Sequence, residues 1–102
     1  MAAFERADWM AVHNLMTHTS AHGSVINAER AHGVRASRAG ECVGWTNAPW
    51  GYAAYRYLFS AWKQSPGHWD LLMSPLFTRV GIGFAYRSAN AYTYGSLVLA
   101  RL

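Results

Sequence analysis

The residues of this chain that could do chemistry are its five histidines, its five acids and its one cysteine. His18 and His22 stand four apart, a spacing that on a helix would aim both imidazoles at one metal ion. The intervening Thr19-Ser20-Ala21 and the following Gly23 are turn chemistry, so both are expected in a loop and the helical pair fails. His13 and His32 fall on helical stretches and read as surface or boundary side chains. His68 differs because its neighbours fix it. Pro66 restricts the backbone before it, and Gly67 leaves room for chain or ligand to come close. A histidine mounted in this way can accept a proton, ligate a metal or hydrogen-bond a ligand. It can equally be a bystander at a capped helix start.

Other arrangements are poorly supplied. Ser65 lies three residues before His68, but a serine directly before proline is best used as a helix N-cap. No Gly-x-Ser-x-Gly elbow is present. Gly81-Ile82-Gly83 is too short for a dinucleotide fingerprint and leads into strand instead of helix. No two of the acids are obviously juxtaposed, which leaves a paired-carboxylate hydrolase without its pair. Glu41, read by itself, is a solvated acid at the mouth of a strand. Cys42 alternates with it and is expected to point inward as a small apolar residue.

The elements that must position these groups follow from periodicity and breakers. Phe4, Ala7, Ala11, Val12 and Leu15 predict a helix from about Phe4 to Met16. Ser24 as N-cap and Gly33 as stop bracket a short second helix. Glu41 to Trp45 reads as a short strand. Asn47 and Pro49 then open a helix ending near Gln64, with an apolar stripe of Tyr55, Leu58, Phe59 and Trp62. Ser65-Pro66 starts another short helix, reaching about Met73 and closed by Pro75. Arg79–Tyr86 and Ala91–Leu99 read as strands joined by a turn at Ser88-Ala89-Asn90. Helices first and a hairpin last predict an α+β domain, with helices packed on a small antiparallel sheet.

Composition sets the outer bounds. A chain of 102 residues is expected to form one domain, burying about two thirds of the surface its unfolded form exposes. Aromatic residues make up 15% and charged residues only 14%, so apolar surface is left for a ligand or a protein partner. The net charge of +4 is thinly spread, densest at Arg30, Arg35 and Arg38. That group reads as a solvated loop edge or a weak site for an anionic wall polymer or lipid head group. Without a basic run or a recognition motif, nucleic acid is not expected as a partner. One cysteine excludes an intramolecular disulfide, and no apolar run approaches the ~18 residues of a transmembrane helix. No signal peptide is read at the start, which suits a mature region, an internal fragment or a cytosolic protein.

Four motifs in order resemble one family. They are His-Thr-Ser at 18–20, Gly-Glu at 40–41, Trp-x-x-Ser-Pro-Gly-His from Trp62 to His68, and Val-Gly-Ile-Gly-Phe-Ala at 80–85. From Trp9 onward the chain resembles the CAP domain of cysteine-rich secretory proteins, antigen 5 and pathogenesis-related 1 proteins, nearest to its bacterial, cysteine-poor branch. The resemblance implies an α-β-α sandwich with a central cleft lined by histidines and acids. By motif, His18, Glu41 and His68 would line it, and Ser65 stands where the eukaryotic pattern has a second acid. Gln64, Ser65 and Trp69 would support the cleft. Glu41-Cys42 replaces the usual Glu-Asn, Trp69 replaces a common arginine, and the first helix starts late, as in an N-terminally shortened domain.

What the resemblance implies for function is an extracellular or cell-envelope binding or interaction domain. Two imidazoles and a carboxylate could take Zn²⁺ or another divalent cation. The cleft would equally suit a small-molecule, lipid-like or cell-wall ligand. The alternatives are a metal-assisted hydrolase of peptides or wall polymers, and a structural module of a larger secreted protein.

Overall fold

The computed structural model describes residues 2–18 and 23–102. Four helices, α1 (Ala2–His13), α2 (Val25–Ala31), α3 (Tyr52–Gln64) and α4 (Pro66–Leu72), surround three strands, β1 (Arg38–Thr46), β2 (Arg79–Arg87) and β3 (Tyr92–Arg101). The strands form one antiparallel sheet in the order β1-β3-β2, so β3 is central and the hairpin partners β2 and β3 are neighbours. This is the α+β sandwich expected, with small differences at the element ends.

Alternation along the strands sorts the two faces. Glu41, Val98 and Gly81 share one cross-strand row, and Val43, Ser96 and Gly83 the next. These rows face α1: Val43 joins Ala7, Met10, Ala11, Ala85 and Tyr94 in one core cluster. At Gly83 a methyl group would overlap the backbone of Ala3 and Phe4, so only glycine lets α1 lie this close to β2. The opposite face carries Cys42, Leu97 and Leu99, packed with Leu58 and Trp62 of α3. A side chain at Gly44 would meet Leu58, and one at Gly40 would meet Leu71 of α4 and Phe77. The sheet is therefore covered on both sides, with α1 on one and α3 and α4 on the other, while Val80, Ile82 and Tyr86 of edge strand β2 stay exposed.

The boundaries have local causes. The first helix stops at His13, three residues short of the expected Met16, because Asn14 adopts a left-handed φ of 51°. The Leu15 N–H then donates to the Met10 carbonyl (3.1 Å), which closes a Schellman-type end. Asn14 is held there by its own side chain, whose Oδ1 accepts from Tyr94 Oη (2.6 Å) and Asn90 Nδ2 (2.8 Å). Gly33, with φ +83°, ends the second helix as expected, and the Val34 N–H donates to the Glu29 carbonyl (2.9 Å). The third helix starts later than Asn47 and Pro49 suggest, because Gly51 sits at φ 106°, ψ −141°, a conformation no helix contains. Ser24 and Ser65 occupy the N-cap positions expected of them, but neither side chain makes a capping hydrogen bond.

Candidate functional site

The polar centre of the molecule is built around Glu41. Its place on β1 turns the carboxylate toward α1, where only 2% of the side chain is exposed. The solvated acid expected from sequence is thus a buried one. Each oxygen is engaged. Oε1 lies 2.8 Å from His18 Nδ1. Oε2 accepts from Ser96 Oγ at 3.1 Å, and stands 3.3 Å from Arg6 Nε. The Arg6 side chain is 1% exposed and also donates from Nη2 to the Gly23 carbonyl at 3.2 Å. Burial lowers the Arg6 pKa, and the charges of Glu41 and Glu5 oppose that shift.

This geometry fixes the His18 ring. A carboxylate oxygen can only accept, so the neutral imidazole carries its proton on Nδ1 and leaves Nε2 as an acceptor. The His18 side chain is 62% exposed, so the ring is presented to solvent while its other nitrogen is anchored in the core. A ring oriented by a buried carboxylate can take a proton from a ligand or hold a donor group. Burying an arginine and a glutamate costs desolvation that their attraction does not reliably repay.

The structure does not join the other predicted residues to this pair. His68 lies on α4, on the sheet face opposite Glu41; it is half-buried, and its buried Nδ1 has no hydrogen-bond partner among the described residues. No hydrogen bond or ion pair among those residues connects it to His18 or Glu41. Ser65 is the hinge residue between α3 and α4. Gln64 donates to Ser60 Oγ (3.1 Å) on its own helix, and Trp69 is 40% exposed. Trp62, which heads the same motif, donates from Nε1 to the Val43 carbonyl (3.2 Å) and staples α3 to the edge strand. His22, Thr19 and Ser20 lie outside the described residues. His13 stacks on Trp9 and donates to its carbonyl (2.9 Å).

Among the described residues, the donors do not fit the divalent ion implied by the motifs. Among the described residues, no group of three His, Cys, Asp or Glu side chains stands close enough to hold a metal. In addition, His18 Nδ1 and both Glu41 oxygens are already engaged with one another, Arg6 and Ser96. Cys42, inward as expected, lies on the other face, and burial pushes its thiol up to about 11 with Glu41 adding to the shift. It is no thiolate ligand at neutral pH.

Arg6 and Ser96 were not legible as site residues from motifs. A signal for Arg6 exists in the chain: it sits at helical spacing from Ala3 and Met10, a charge inside an apolar stripe. Ser96 shares the α1-facing rows of β3 with Val98 and Ala100.

The family model described as "Cysteine-rich secretory protein family", CAP, matches residues 1–99. A search of curated proteins finds no match. An extracellular protein containing an SCP domain, from Bacillus anthracis str. Ames, superposes with a TM-score of 0.81 at 20% identity. The alignment covers 99% of this chain and 30% of that one, so this chain spans less than a third of that protein's length. An outer surface protein from Borrelia burgdorferi superposes with a TM-score of 0.75 at 12% identity, covering 98% of this chain and 73% of the other. At those identities the two structures speak to the fold alone.

Proposed function

The chain belongs to the cysteine-rich secretory protein (CAP) family, and from that premise we propose that it is an extracellular binding domain presenting the His18 imidazole to its ligand. One observation carries the reading: a solvent-facing histidine is anchored at 2.8 Å to a fully engaged, buried glutamate. Glu41 sets the tautomer and direction of the ring, Arg6 neutralises Glu41, and Ser96 fixes its second oxygen. Nε2 then accepts a hydrogen bond from a hydroxyl or amide of the ligand. The extracellular setting is supported by the descriptions of the two structural neighbours, as an extracellular and an outer surface protein. No helix among the described residues is long and apolar enough to cross a membrane.

The test is chemical-shift mapping with two probes, soluble cell-wall glycopeptide fragments and short-chain phospholipid micelles. Shifts centred on His18 that disappear in His18→Ala support the proposal. Binding that His18→Ala leaves unchanged, or no binding of either probe, overturns it.

A second reading rests on the same pair, because a histidine oriented by a buried carboxylate is also the arrangement of a general base. In this reading His18 would draw a proton from water attacking a peptide or wall-polymer bond. Turnover of such a polymer, lost in both His18→Ala and Glu41→Gln, would favour it. A residual rate equal to the parent's in either variant would eliminate it.

A further inference from the structure

Beside the Glu41 network, a cavity of about 390 Å³ opens between the start of α1, the end of α2 and the lower rows of the sheet. Ala3, Val34, Val98 and Ala100 contribute small apolar side chains, Gly81 contributes none, and His32 and Arg79 add ionisable groups at the edge. One wall is different. Glu29 of α2 lines the cavity with only 3% of the residue exposed, and its Oε2 is buried without a hydrogen-bond partner among the described residues. A carboxylate in that position has lost its water and gained nothing in exchange, a cost of a few kcal/mol in any apolar surrounding.

The charges around it point to what is missing. Glu5 on α1 stands 3.6 Å from His32, the one cationic candidate on Glu29's own helix end that faces the cavity. Arg6 on α1 is engaged with Glu41 of β1. Arg79 of β2 lies at the mouth, exposed, and forms no ion pair with Glu29 among the described residues. Of the three acids gathered here, Glu29 is therefore the one without a cation among the described residues. Burial pushes its pKa up to about 7, and the Glu41 charge pushes in the same direction. Near neutral pH it is poised to lose a proton if a positive group arrives.

We propose that this cavity is a binding site for a small amphipathic amine, its ammonium on Glu29 and its apolar body against Val34, Val98 and Ala100. At about 30 Å³ for each water-sized unit, 390 Å³ holds a ligand of about a dozen non-hydrogen atoms. An ammonium at the Glu29 carboxyl supplies the positive charge that offsets Glu41. Binding fixes Glu29 as carboxylate, so affinity rises with pH. Below about pH 7 it falls roughly tenfold per unit, as the free carboxyl takes up its proton. The site is independent of His18 and stands or falls without the ligand proposed there.

The experiment is an amide chemical-shift titration of the full chain with hexylamine, hexanol and hexanoate at several pH values. The expected result is shifts at Ala3, Val34, Gly81 and Val98 with hexylamine, tightening as pH rises toward neutrality. Hexanol and hexanoate should bind at least tenfold more weakly, and Glu29→Gln should bring hexylamine down to the hexanol level. Equal binding of amine and alcohol, a titration independent of pH, or parent-like amine binding by Glu29→Gln would overturn the proposal, as would no amine binding at all. If Glu29→Gln does not fold, the pH dependence of the unmodified chain decides alone.

Discussion

Replacing Arg6 with methionine keeps most of the side-chain volume and removes the buried cation, leaving Glu41 with only His18 and Ser96. The side chains of Arg6 and Glu41 are 1% and 2% exposed and 3.3 Å apart. Removing one partner of such a pair typically costs about 3–5 kcal/mol, because the other charge stays buried. Two features place the loss at the lower end. Glu41 keeps its bonds to His18 and Ser96, and a molecule only 18 Å across its shortest extent has no site far from solvent. The expected loss is therefore about 3 kcal/mol, or a melting temperature lower by roughly 12 °C or more in a domain of this size. Denaturant melts of Arg6→Met, Glu41→Gln and the double variant measure it. The double variant should lose at least about 2 kcal/mol less than the sum of the singles, since it leaves no charge behind. A loss in Arg6→Met below about 1 kcal/mol, or strict additivity, would refute the role given to Arg6.

Glu29 should make stability depend on pH. Its folded pKa of about 7 lies above the ordinary carboxyl range, so the folded state holds a proton that the unfolded state has already released. Stability therefore falls as pH rises from about 4.5 through 7, by up to about 3 kcal/mol, and Glu29→Gln should remove that slope in thermal melts. Gly83→Ala should cost about 1–3 kcal/mol by pushing α1 off the sheet, read as a lower denaturant midpoint. The Cys42 thiol, fully buried and raised to about 11, should resist a thiol reagent in the native protein and react at once in denaturant.

Much of the fold was legible because local chemistry and long-range packing agree. The α3 stripe of Leu58 and Trp62 with half-buried Tyr55 and Phe59, the Gly33 stop and the Pro66 start all stand where periodicity and turn residues place them. The ends that moved did so for tertiary reasons. Asn14 leaves the helix because Tyr94 and Asn90, some eighty residues away in sequence, hold its side chain. The site was legible only in part. Motif order named His18 and Glu41, which the structure brings into contact, but not the arginine and serine that hold Glu41. Those partners come from different elements, and only the register of β1 on β3 makes Ser96 a neighbour of Glu41. Glu29 escaped for the same reason: nothing in Asn27-Ala28-Glu29-Arg30 says that its side chain is buried at the edge of a cavity.

Everything proposed for His18 depends on Glu41 holding its ring with Nε2 left to meet a ligand. The most direct measurement is the two-bond ¹H–¹⁵N spectrum of the histidine rings, taken where His18 is neutral. His18 should carry its proton on Nδ1 in the parent and lose that tautomer in Glu41→Gln, whose amide no longer demands a donor. A neutral His18 carrying its proton on Nε2 in the parent would contradict it.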